Sequence, residues 1–112
     1  MEFIYQKEDR LLKITLAEEI DHHVAQKIRR RVDYEIQRYL PKKVVFDFSK
    51  VNFMDSAGVG LIIGRYKMAS MLGGSLEIQN ANMKVKRILQ MSGITKLIPI
   101  IENKEDENEK CV

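Results

Sequence analysis

The residues best able to do chemistry sit in one short turn, "FMDSAGVG", where Asp55 and Ser56 separate a strand-like apolar run from a helix-like one. As plain structure, Asp55 or Ser56 caps the following helix, whose first amides lack partners, while Gly58 and Gly60 keep side chains away from the approach. As a hydrolase nucleophile, Ser56 would need a Gly-x-Ser-x-Gly elbow and an acid–histidine pair, but "FMD" precedes it and the only histidines are the adjacent His22 and His23. A phosphate cradle would need a lysine followed by Ser or Thr, and "SAGVGLIIGRYK" has neither that order nor that spacing. Phosphorylation of Ser56 itself fits better. A phosphate at a helix N-terminus meets free amides and the positive end of the dipole, so the fold survives, while about 1.5 to 2 negative charges are added beside Asp55. A partner docked on that surface would be repelled, which makes Ser56 a candidate switch read out as dissociation.

The remaining reactive groups support less. His22 and His23 are neighbours near a helix start and point in different directions, with no third ligand close in sequence, so they read as first-turn surface residues and no metal is expected. Asp47 ends an apolar strand, as a receiver-domain phosphoacceptor would. The acidic pair after a first strand is missing, however, and "KLIPII" does not supply the lysine that should follow a late one. Cys111 has no partner in the chain and reads as a spare surface thiol. Met68, Met71 and Met91 fall at helix-period positions and read as core filler.

These groups must be positioned by the elements around them. "FIY" and "LLKITL" flank "QKEDR", and Leu12, Ile14 and Leu16 alternate with Leu11, Lys13 and Thr15, which predicts an antiparallel hairpin. "EEIDHHVAQKIRRRVDYEIQRYLPKK" places Val24, Ile28, Val32, Ile36 and Leu40 at steps of four, with Asp21 as the N-cap and Pro41 as the stop. "KVVFDFS" reads as a strand buried on both faces. From Ala57 to Leu72 apolar residues cover most of the circumference, with Arg65, Lys67 and Ser70 as polar exceptions and Gly73 and Gly74 as the stop, so this helix should be the most buried. "SLEIQN" is a short alternating strand, "NMKVKRILQMSG" a helix capped by Asn82 and ended by Gly93, and "KLIPII" a last strand whose proline favours an edge. The strand–helix alternation predicts an α/β fold with one mixed, mostly parallel sheet and helices packed on it. The turn holding Ser56 follows the carboxyl end of the central strand, where such sheets place functional groups.

Composition sets the outer limits. At 112 residues and 45% hydrophobic, the chain fits one domain. No apolar window approaches the roughly 18 residues of a membrane span, and "MEFIYQKEDR" lacks a signal-peptide layout, so a cytoplasmic protein away from the membrane is expected. The net charge of +3 includes an acidic tail, "ENKEDENEKCV"; the seventeen basic and eleven acidic residues before it leave a balance of +6. The basic residues are scattered, with Arg29 to Arg31 running around a helix, and Phe3, Phe46, Phe48 and Phe53 match no stacking platform, so direct nucleic-acid binding is not expected.

"FMDSAGVGLIIGRYKMASMLGGSLEI", together with "EEIDHHVAQKIRRRVD" and "VKRILQMSGITKLIPI", closely resembles the anti-sigma factor antagonists of the STAS domain family, over nearly the whole chain to about Ile101. The resemblance implies a STAS domain over residues 1–103 and a charged, frayed tail over 104–112, with a final short helix there in question. It implies a non-catalytic regulator without a cofactor, expected to be a monomer. Its partner would be an anti-sigma factor serine kinase, which it binds so that a sporulation sigma factor is released. That kinase would use ATP to phosphorylate Ser56, and a serine phosphatase would reverse the mark. The contact face would comprise Asp21, His22, Asp55, Ser56, Ala57, Gly58 and Gly60, with Asp21 pairing a kinase arginine. Ala57 stands where a second serine is common in relatives, leaving one hydroxyl at the site. The alternative reading is a STAS-like or receiver-like nucleotide-responsive interaction domain in another signalling pathway.

Overall fold

The hairpin forms where the alternation predicts it: β1 (Glu2–Gln6) pairs antiparallel with β2 (Leu11–Thr15), Phe3 opposite Ile14 and Tyr5 opposite Leu12. The computed structural model describes residues 1–102; the expectations for the tail over 104–112, including Cys111 and a short helix, lie outside the described residues. After β2 come β3 (Glu19–Ile20), α1 (His22–Tyr39), β4 (Lys43–Asp47), β5 (Phe53–Met54), α2 (Ser56–Met71), β6 (Ser75–Gln79), α3 (Met83–Met91), a 3-10 turn (Ile94–Lys96) and β7 (Ile100–Ile101). The main sheet runs β1-β2-β4-β6-β7, parallel except for β1, and β3 pairs with β5 in a separate parallel sheet of two strands.

Because the parallel strands step across the sheet in one direction, crossovers of one hand put α1, α2 and α3 on one face. Ile28, Val32 and Ile36 of α1, Leu61 and Ile62 of α2, and Val85 and Leu89 of α3 accordingly join one core cluster with Leu12, Ile14, Val44, Phe46, Leu76 and Ile78. Burying a side chain such as Phe46 or Ile78 there is worth roughly 1.5–3 kcal/mol. Val45, on the opposite face between Lys13 and Glu77 in register, is buried as well, so the central strand is enclosed on both sides as its sequence predicts. Gly73 and Gly93 follow α2 and α3 as predicted, each with φ +83, a left-handed backbone that a side chain resists.

Several expectations are corrected. Leu40 does not extend the buried stripe of α1: it caps the helix in the left-handed conformation and is 48% exposed, since Pro41 behind it cannot continue the helix. Met71 and Met91 are 86% and 82% exposed because each ends its helix beyond the core, whereas Met68 is partly buried against it. Arg65, one of the polar exceptions on α2, is a buried charge at 6% exposure. β6 is not a plain alternating strand, since Glu77 is buried between Leu76 and Ile78, its carboxylate paired with Lys43. Of "KLIPII" only Ile100–Ile101 is strand, at the sheet edge; Lys96 belongs to the 3-10 turn.

The small sheet went unpredicted, yet it sets the position of the candidate switch. Glu19 pairs with Phe53 and Ile20 with Met54, and the buried Ile20 and Met54 side chains pack beneath the first turn of α2. A Cβ on Gly58 would collide with Met54 Cγ and lie 2.6 Å from its Sδ, whereas one on Gly60 would meet nothing within 4 Å. The loop entering this sheet is tied down by Asp47, which is 7% exposed: its Oδ1 accepts from Ser49 N at 2.9 Å and Asn80 Nδ2 at 3.3 Å, and Lys13 Nζ lies 3.7 Å from Oδ2. Burial alone would raise the Asp47 pKa, but the Ser49 amide, Asn80, the Ser49 side chain and Lys13 together outweigh it and hold the pKa below its ordinary 3.8.

Two outcomes follow from this packing. Gly58→Ala should destabilise the protein by about 1–3 kcal/mol through overpacking, and Gly60→Ala should stabilise it by about 0.5–1 kcal/mol through helix propensity, both read from urea denaturation. Because the folded pKa of Asp47 is depressed, its stabilisation is present above the ordinary 3.8 and lost as pH falls through the folded value. Asp47→Ala should therefore be destabilised at pH 7, and its deficit against wild type should shrink below about pH 4 in pH-dependent thermal melts.

Candidate functional site

Two helices begin side by side where the small sheet ends. Asp21 follows Ile20 and Asp55 follows Met54, and because those two residues are in register, both N-caps stand at one level, linked by Asp55 N donating to Ile20 O at 3.3 Å. Asp21 Oδ1 accepts from Val24 N at 2.9 Å, and Asp55 Oδ1 accepts from Ala57 N at 2.8 Å. Each side-chain cap satisfies an otherwise orphaned amide and is worth about 1 kcal/mol. His22 and Ser56 are consequently equivalent residues, each the first of its helix.

Asp55 takes the cap, which leaves Ser56 out of it. The serine is exposed, and among the described residues its hydroxyl has no hydrogen-bond partner. The first turn of α2 contains no acidic residue, so among the described residues Asp55 alone answers the positive end of that helix. Asp21 and Asp55 are half-buried, and the second carboxylate oxygen of each has no partner among the described residues.

The structure brings Asp21, His22, Asp55, Ser56, Ala57 and Gly60 to one surface. Gly58 does not reach that surface: the family resemblance groups it with the contact residues, but it is buried against Met54 and Ile20. His22 Nε2 lies 3.4 Å from Gln26 Nε2, and the His22 and His23 rings meet edge-on with centroids 6.1 Å apart. Among the described residues no group of three or more His, Cys, Asp or Glu side chains could hold a metal ion. Asp47 is turned inward and fully engaged by Ser49, Asn80 and Lys13, an arrangement that structures the loop and does not present a carboxylate for modification.

Sequence reasoning missed a groove that opens beside Ser56. It has a volume of about 400 Å³ and runs between α1 and α2, with His22, Gln26 and Arg29 on one wall and Gly60, Gly64 and Arg65 on the other. At its inner end Asp33 is shared by two guanidinium groups, Arg65 Nε at 2.7 Å from Oδ1 and Arg29 Nε at 3.9 Å from Oδ2. The signal in the sequence was the spacing Gly60-x-x-x-Gly64-Arg65 in an otherwise apolar helix. Arg31 of the same cluster is used internally, 3.6 Å from the buried Glu35 and over the Phe3 ring.

Comparison with known proteins agrees with this architecture. The anti-sigma F factor antagonist of Paenibacillus polymyxa is 39% identical over 93 residues, covering 83% of this chain and 80% of that one. The solved structure of the anti-sigma factor antagonist SpoIIAA in its unphosphorylated form superposes with a TM-score of 0.77 at 28% identity, covering 96% of this chain and 92% of that one. The phosphorylated form of the Bacillus cell fate determinant SpoIIAA superposes with a TM-score of 0.70 at 25% identity, covering 97% of each chain. No helix among the described residues is long and apolar enough to cross a membrane. Residues 2–107 match the STAS domain, and with its single α/β domain, mostly parallel sheet and paired helix starts this chain belongs to the STAS domain family.

Proposed function

We propose that this chain is an anti-sigma factor antagonist switched by phosphorylation of Ser56. Unmodified, it docks on an anti-sigma factor with serine kinase activity through Asp21, His22, Ala57, Gly60 and the Asp55–Ser56 pair, and so releases a sporulation sigma factor. The kinase then transfers phosphate from ATP to the Ser56 hydroxyl, docking is lost, and a serine phosphatase restores the active form. The chain itself catalyses nothing in this reading, needs no cofactor and works as a cytoplasmic monomer.

The observation that carries the reading is the division of labour between Asp55 and Ser56. If Ser56 were the cap, modifying it would cost the helix its start; with Asp55 in that role, the serine hydroxyl is exposed and serves no bond among the described residues. A phosphate there would lie at the positive end of α2, which favours it, and beside Asp55 on the docking surface, which disfavours any acidic or tightly packed partner. The name of the Paenibacillus polymyxa relative supports the class of partner, and the existence of a phosphorylated form of SpoIIAA supports the type of mark. A receiver-like role through Asp47 fits poorly, because that carboxylate is buried and already engaged.

Incubation with an anti-sigma serine kinase and ATP should add one phosphate by intact mass, mapped by fragment ions to Ser56 and absent in Ser56→Ala. By calorimetric titration, Ser56→Ala should keep the affinity of the unmodified protein, and Ser56→Asp should bind the kinase at least about tenfold more weakly. A phosphate on Asp47 or on another serine would count against the reading.

A further inference from the structure

The groove between α1 and α2 contains two features that the folded domain does not need. Gly60 and Gly64 stand one turn apart in the middle of α2, both with negative φ, and a Cβ on either would meet nothing within 4 Å. Glycine weakens a helix interior, and here neither a close internal contact nor an unusual backbone calls for it. The two glycines instead keep the floor of the groove bare over a full helical turn.

The second feature is the charge at the inner end. Arg65 is 6% exposed, and among the described residues its only partner is Asp33. The 2.7 Å contact between Arg65 Nε and Asp33 Oδ1 lacks hydrogen-bond alignment, so both buried atoms remain without a hydrogen bond. A guanidinium carries five N–H donors; among the described residues none of those of Arg65 makes a hydrogen bond, and Arg65 lines the groove. Asp33 must also answer Arg29, so two cations share one carboxylate and the cluster has a residual charge of about +1. Arg30 lines an adjoining hollow together with Arg29 and Asp33, and His22 is the remaining titratable group on the groove; among the described residues no carboxylate lines the groove itself. Burial lowers the Arg65 pKa, Asp33 opposes that shift, and Arg29 adds to it as a like charge, the repulsion an anion would relieve.

We infer that the groove seats a segment of the anti-sigma factor, its backbone laid against Gly60 and Gly64 and one aspartate or glutamate carboxylate placed on Arg65 and Arg29. The inference rests on the reading that the Ser56 face docks on that partner. It extends the face along α2 from Gly60 to Arg65, about one and a half turns, and is continuous with it because Ala57 and Gly60 line the groove. Bare glycines permit close backbone approach, and a buried, pre-positioned guanidinium recognises a carboxylate with little loss of side-chain freedom.

The test is calorimetric titration of the full chain and its variants against the anti-sigma F factor of the host organism, with melting temperatures measured alongside. Gly64→Leu fills open space, and Arg29→Glu changes an exposed side chain, so both should fold with a melting temperature close to wild type. Each should bind about tenfold or more weakly, whereas Arg29→Lys should lose less than Arg29→Glu. If both variants bind like wild type while Ser56→Asp is still weakened, the groove inference is overturned and the phosphorylation switch stands. If the wild-type chain does not bind the anti-sigma factor, both are overturned.

Discussion

The proposed switch surface depends on a ladder of two residue pairs. Glu19 opposite Phe53 and Ile20 opposite Met54 form a parallel sheet too short to be stable alone, so its register has to be held from outside. Buried Ile20 and Met54 anchor it in the core, Asn52 N donates to Glu18 O at 2.7 Å, and Gly58 lets α2 close over Met54. A slip by one residue would turn Ile20 or Met54 outward and take the two aspartate caps out of line. From this register follow the level starts of α1 and α2, the equivalence of His22 and Ser56, and the groove that runs down between the helices.

Given that register, the local chemistry is economical. The starts of α1 and α2 are each satisfied by an aspartate, and the residue after each cap, His22 or Ser56, is left on the surface. The loop leading to the switch is held in turn by Asp47, through Ser49 and Asn80, and by Asn82, whose Nδ2 donates to Val51 O at 3.0 Å while its Oδ1 caps α3 through Val85 N at 2.8 Å. The surface is thus pre-organised, and a partner need not pay to order it. In the proposed reading, a charge change at Ser56 then acts on binding directly, through repulsion and desolvation, without a second conformation of the domain.

The sequence made the larger elements legible because their periods are strong. Alternation at Leu12, Ile14 and Leu16, the four-residue steps from Val24 to Ile36, and the apolar run at Val44 to Phe46 each report a buried face, and Asp21 and Asn82 act as the caps their positions suggest. Two-residue strands have no period to detect, so β3 and β5 were invisible, and with them the reason Asp21 and Asp55 come together. Arg65 and Glu77 defeated the polarity pattern because each is buried against an opposite charge from another element, Asp33 of α1 and Lys43 of β4. Met71 and Met91 show the converse: helix-period spacing says which face a residue shares, but not where the core stops. At the site itself, the turn and its serine were legible, while the assignment of the cap to Asp55 over Ser56 required the geometry.

The most direct measurement is the affinity of an anti-sigma kinase for the protein carrying a true phosphate on Ser56, compared with the unmodified protein at low and at high salt. A surface-charge mechanism predicts a large loss of affinity on phosphorylation, and a loss that narrows as salt screens the added charge. Equal affinities for the two forms at both salt concentrations would contradict the account.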